Sequence, residues 1–66
     1  MTNNIRVLRA IKNITQAELA KEINVSRQTI NTIESGKYVP STLLALKMAK
    51  VFSVPVEEVF ALEQGD

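Results

Sequence analysis

The stretch Thr15–Gly36, TQAELAKEINVSRQTINTIESG, constrains this chain more than any other. Its local chemistry spells two short helices with almost nothing between them. The Thr15 hydroxyl can accept from an early backbone N–H while Glu18 reaches back to the N–H of Thr15, a reciprocal pair that starts a helix. Leu19, Ala20 and Ile23 follow on one face at helical spacing. Asn24 tolerates the left-handed conformation that ends a helix. Ser26 can cap a second helix, Ile30 and Ile33 give it an inner stripe, and Gly36 ends it. A connection of about three residues forces the two helices to cross at a large angle. The small Ala20 lets them approach, and Val25 plugs the gap beneath.

That geometry is a helix-turn-helix. With Ile30 and Ile33 inside, Arg27, Gln28, Asn31 and Thr32 face outward. Arg suits guanine O6/N7, and Gln or Asn suits adenine N6/N7, so these four are the expected base readers. The face holds no Asp or Glu before Glu34. Its short amides and hydroxyls are mediocre helix formers, a composition that solubility alone does not require. The second helix, Arg27 to Ser35, is therefore expected to enter the major groove by its N-terminal half. Ser26 and Thr29 lie at that end and are assigned to the DNA backbone. Gln16 stands at the first turn of the preceding helix, where free N–H groups suit a phosphate oxygen. Lys37 can pair with a phosphate at the edge of the face. Tyr38 beside it either donates its hydroxyl to the backbone or packs on the side of the domain.

Three runs carry a family resemblance: Thr15-Gln16-Ala17-Glu18-Leu19-Ala20, Val25-Ser26-Arg27-Gln28-Thr29-Ile30 and Ile33-Glu34-Ser35-Gly36-Lys37. With Pro40-Ser41 and Pro55-Val56-Glu57-Glu58-Val59-Phe60, they resemble the Cro/CI-type (XRE-like) helix-turn-helix repressors of phages and bacteria. The likeness runs from Ile5 to Phe60. It departs at Asn24, where the family usually has Gly, but Asn adopts a similar backbone conformation. The resemblance implies an all-α, five-helix lambda-repressor-like bundle. It implies that Arg9 and Glu34 form a partly buried structural ion pair, in preference to Arg9 touching DNA. It also implies that Gln16 contacts the DNA backbone and braces a residue of the recognition helix. The expected activity is sequence-specific binding of double-stranded DNA as a transcriptional regulator, most often a repressor, in the cytoplasm of a bacterium or its phage. Restriction-modification controllers and antitoxins share the family.

The remaining segments are expected to complete one domain over residues 1–66, with the helix-turn-helix at 15–36. Ile5, Leu8 and Ile11 form a stripe for a first helix from Asn4 to Lys12. Arg6 on it is either a solvated cation or a phosphate contact. Ser41 caps a fourth helix, Thr42 to Phe52. Thr42, Ala45, Leu46, Ala49 and Phe52 make one apolar stripe there, and Leu44, Met48 and Val51 a second. Pro55 takes the first position of a fifth helix, with Glu57 and Glu58 favouring its start and Val56, Val59 and Phe60 as its apolar face. This is more apolar surface than a small domain buries alone. Leu44, Met48, Val51, Val56 and Phe60 are therefore assigned to a dimer interface within a dimerisation region, 42–62. The alternative is that the fourth helix is central and wrapped on all sides. Phe60 to Leu62 is expected to run extended and to pair with the N-terminus as a short terminal strand pair. Met1 and Asp66, bracketing these elements closely, read as the ends of a whole protein.

The residue inventory narrows the function further. With no Cys and no His, thiolate or imidazole metal sites, Cys or His catalysis and Ser-His-Asp triads are excluded. Two glycines cannot build a phosphate-cradling loop. Glu57 and Glu58 diverge by about 100° around a helix and cannot flank one substrate. The expectation is thus no enzyme, no cofactor, no metal and no small-molecule ligand. No run is apolar enough for a membrane span or a signal peptide. The net charge of +1 conceals a basic residue range 1–40 at +3 and an acidic range 41–66 at −2. That polarity orients the molecule in a phosphate field but falls short of nonspecific nucleic-acid binding. The expected partners are a palindromic operator and a second copy, with recognition helices about 34 Å apart. The competing reading is a protein-interaction module that uses the apolar surface of the last two helices, with DNA binding residual.

Overall fold

Helix starts and stops follow from side chains next to them. Thr15 Oγ1 accepts from the Glu18 N–H at 3.0 Å while the Glu18 carboxylate accepts from the Thr15 N–H at 2.9 Å. Ser26 Oγ accepts from the Thr29 N–H at 3.1 Å, and Ser41 Oγ from the Leu44 N–H at 3.2 Å. A cap of this kind stabilises its helix by about 1 kcal/mol. In the computed structural model, which describes residues 1–66, these caps open three of five helices. The helices are α1 (Ile5–Lys12), α2 (Gln16–Glu22), α3 (Arg27–Glu34), α4 (Thr42–Phe52) and α5 (Val56–Val59). Left-handed residues end or follow them: Asn13 (φ 59°) after α1, Asn24 (φ 60°) after α2, Gly36 (φ 80°) after α3 and Ser53 (φ 56°) after α4. Asn24 thus does what a glycine would do in the turn. Asn13 and Ser53 are stops that the hydrophobic pattern did not reveal.

The ends of the chain meet. Strand β1 (Thr2–Asn3) pairs antiparallel with β2 (Phe60–Ala61), Thr2 opposite Ala61 and Asn3 opposite Phe60. Asn4 extends the link through its N–H to the Val59 carbonyl at 2.9 Å. Outside the ribbon, the Met1 amino group lies 2.8 Å from carboxylate oxygens of both Glu63 and Asp66. Its bonds to Asp66 and then Glu63 hold the amino group above its usual 8.0. The same contact, first with the amino group and then with the Glu63 backbone, holds the Asp66 carboxyl below its usual 3.8.

One core joins all five helices: Ile5 from α1, Leu19, Ala20 and Ile23 from α2 and its end, Ile30 and Ile33 from α3, Met48, Ala49 and Phe52 from α4, and Val59 from α5. The structure corrects several expectations. Helix α1 begins at Ile5, and Ile11 is 77% exposed, so the first stripe reduces to Ile5 and a half-buried Leu8. Pro55 is the extended residue that caps α5, and that helix is only four residues long. Phe60 therefore leaves the helix and joins β2.

The largest correction concerns α4. Met48 has no exposed surface, and Leu44 and Val51 pack against the core, whereas Leu46 is 55% exposed. The stripe assigned to a dimer interface thus faces inward, and Met48 cannot reach a partner. The reason is that α4 packs against α1, α2 and α5 together, which turns a wide arc of it inward. Val56 and Phe60 are only partly buried and stay accessible. No helix is long and apolar enough to cross a membrane.

Candidate nucleic-acid interface

Helix α3 is placed from both ends. Val25 in the turn donates its N–H to the Ala20 carbonyl at 2.9 Å, which locks the turn under α2. At the far end, Asn3 Nδ2 of β1 donates to the Ile33 and Glu34 carbonyls at 3.1 and 3.3 Å, satisfying helix-end acceptors. With Ile30 and Ile33 in the core, Arg27, Gln28 and Asn31 are exposed and together line a hollow of about 210 Å³ that no other residue borders.

Beneath this surface lies a charged anchor. Arg9 Nε and Nη2 reach the two Glu34 carboxylate oxygens at 2.6 and 3.2 Å, and Arg9 Nη1 donates to the Ile14 carbonyl at 3.1 Å. The side chains are 15% and 4% exposed, so this is the partly buried structural pair that the resemblance implied. The bond to Glu34 holds the Arg9 guanidinium above its ordinary value, against the opposing effect of desolvation. The electrostatic consequence is direct. The one acidic residue of α3 is turned inward and neutralised, and the outward face carries no negative charge.

The other expected contacts fall around this face. Gln16 and Arg27 border one hollow with Arg9 and Thr15, so the start of α2 and the start of α3 converge. Gln28, Thr29, Thr32 and Tyr38 border a second hollow on the α4 side, where Tyr38 is exposed. Lys37 is exposed in the following turn, its N–H donated to the Thr32 carbonyl at 3.1 Å. Two hydroxyl assignments change in character. Thr32 is half-buried and donates to the Gln28 carbonyl at 2.7 Å, which commits its one donor to the helix. Ser26 and Thr29 hydroxyls pair with each other at 2.9 Å. Sequence reasoning missed Asn3, whose partner lies about thirty residues away and leaves no local signal.

The capped pair of short helices, with Arg27, Gln28 and Asn31 on an acid-free face, is a helix-turn-helix. Similarity to known proteins agrees. A helix-turn-helix family model matches residues 5–59. An uncharacterized HTH-type transcriptional regulator of Methanocaldococcus jannaschii is 50% identical over 66 residues, spanning the whole of both chains. The HTH-type transcriptional regulator YgzD of Bacillus subtilis is 48% identical over 64 residues, 97% of each chain. The HTH-type transcriptional activator BcrR of Enterococcus faecalis is 38% identical over 60 residues, which is 91% of this chain and 29% of BcrR. The chain belongs to the XRE-like helix-turn-helix family of transcriptional regulators.

Proposed function

We propose that the protein is a sequence-specific repressor that binds a palindromic operator as a homodimer. The observation that carries the reading is the acid-free outward face of α3, where Arg27, Gln28 and Asn31 surround one hollow and Glu34 is neutralised from behind. These three residues read base edges, with Thr32 contributing its methyl group. Gln16, through its free main-chain N–H at the start of α2, and Ser26, Thr29, Lys37 and Tyr38 hold the DNA backbone around them.

One copy makes few base contacts, each worth about 1–3 kcal/mol, and a second copy doubles them. The surface for that copy differs from the one the α4 stripe suggested. Val39, Ala45, Leu46, Val56 and Phe60 border an apolar hollow between α4 and α5, and Val39 and Leu46 are each more than half exposed. Leucine side chains left uncovered next to half-buried valine and phenylalanine favour self-association. Repression needs only that the dimer occupy a promoter.

Selection from random duplexes at moderate salt tests the reading. An enriched palindrome with half-sites about ten base pairs apart is expected. Transcription from a promoter that carries this site should fall when the protein is added. A rise would make the protein an activator, and the absence of any enriched site would remove the sequence-reading role.

A further inference from the structure

Gln16 sits beside two acceptors at once. Its Nε2 is 3.2 Å from Glu34 Oε1 and 3.5 Å from Asn31 Oδ1. The first contact fixes which end of the Gln16 amide faces α3. A carboxylate only accepts, so the NH₂ must point at Glu34 and the carbonyl must point away. Glu34 cannot turn to relieve this, because both its oxygens are held by Arg9. The Gln16 NH₂ has two protons, one for each neighbour. Asn31 must then offer its own carbonyl to Gln16, since an NH₂ facing an NH₂ is repulsive. That leaves Asn31 Nδ2, which has no bond within the domain, as the group presented in the hollow with Arg27 and Gln28.

We propose that Gln16, held by the Arg9–Glu34 pair, fixes the Asn31 side chain as a donor-only base reader. The inference rests on the DNA-reading role of α3 and goes beyond it by naming the edge that is read. An Asn that presents both its amide ends reads adenine through N6 and N7. Asn31 presents only its NH₂, and so reads an acceptor edge. Guanine, with O6 and N7 both accepting, is the best match. Adenine sets its N6 amino group against the Asn31 NH₂ and offers N7 alone, thymine offers O4 alone, and both rank below guanine, while cytosine offers only its N4 amino group and is rejected. Gln16 is a positioning residue in this scheme, and its effect is on base preference.

The experiment is site selection with four proteins: wild type, Gln16→Met, Asn31→Asp and Asn31→Ala, each first shown to melt cooperatively. Asn31→Ala locates the position, as the base whose preference flattens. Wild type should favour guanine there over adenine by about tenfold, the scale of one good base contact. Gln16→Met keeps the volume of the side chain and removes its NH₂, freeing the Asn31 amide to turn, so adenine should enter at that position. Asn31→Asp should invert the preference toward adenine and cytosine, because the oxygen not taken by Gln16 then faces the groove and accepts. The readout is the ratio between bases, which a loss of overall affinity does not move. A wild-type preference for adenine, or a pattern that Gln16→Met leaves unchanged, would overturn the proposal while leaving α3 a DNA reader. Failure of wild type to enrich any site would overturn both. Side-chain NMR of the DNA-free protein adds an independent test. The Asn31 NH₂ should be ordered in wild type and mobile in Gln16→Met, and equal mobility in the two would also overturn the proposal.

Discussion

The α2–α3 half and the α4–α5 half of this domain end their surfaces in opposite ways. On α3 the outward side chains are polar, and the layer behind them is hydrogen-bonded: Arg9 to Glu34, Glu34 to Gln16, Gln16 to Asn31. Around α4 and α5 the outward set includes Val39, Leu43 and Leu46, all more than half exposed. Ordered polar groups can discriminate between bases, because a wrong partner leaves a donor or acceptor unpaired. Uncovered apolar groups discriminate little but associate readily. On the proposed function, the domain keeps its selectivity on one side and its adhesion on the other, with the core between them.

The largest test of this division is on the polar side. Arg9→Ala leaves the Glu34 carboxylate almost fully buried with no cation, and should cost roughly 3–5 kcal/mol in urea unfolding. In a domain of total stability near 5–15 kcal/mol, that is a large share. A loss under about 1 kcal/mol would mean that the pair is solvated and does not anchor the face. A second test sets two α4 residues against each other. Met48→Ala should cost about 2–5 kcal/mol by opening a cavity. Leu46→Ser should change the stability of the dilute protein by about 0.5 kcal/mol or less and abolish self-association in sedimentation. The reverse pattern would put Met48 at the surface and Leu46 in the core.

The smallest effect is at the joined termini. The raised Met1 amino group contributes fully below its usual 8.0, and the contribution is lost as pH rises through the raised value. The lowered Asp66 carboxyl contributes above its usual 3.8, and its contribution is lost as pH falls through the lowered value. Protection of the Phe60 and Ala61 amides, measured against their intrinsic exchange rates, should therefore be greatest between those limits and fall on either side. Because these groups are at the surface, the change should be slight and should fade in high salt.

How far the sequence could be read follows the same division. The α2–α3 half is built from short-range chemistry, such as Thr15 with Glu18 and Ser26 with Thr29, so its caps, its turn at Asn24 and the outward Arg27, Gln28 and Asn31 were legible, whereas Thr32, expected outward, is half-buried and bonded to the Gln28 carbonyl. The Arg9–Glu34 pair was legible only through family resemblance, because the partners are distant in sequence. The α4 stripes were not legible. Thr42-Leu46 and Leu44-Met48 have equally good helical spacing, and only the placement of α1, α2 and α5 decides that Met48 goes inward while Leu46 stays out. Phe60 was read both ways, as helix and as extended strand, and its pairing with Asn3 settled the choice. The donor direction of Asn31 depends on a third residue fifteen positions away and has no sequence signal at all.

The central claim is that the outward face of α3 reads base sequence. The most direct measurement compares wild type with an Arg27→Ala, Gln28→Ala double variant on the selected duplex and on a scrambled one, in the same salt. Both side chains are exposed, so the melting temperature should be nearly unchanged. The account predicts that the double variant loses its preference for the selected duplex by tenfold or more, on the scale of about 1–3 kcal/mol per base contact, and keeps its weak binding to both. Equal preference in the variant and the wild type would contradict the account and place sequence recognition on another surface.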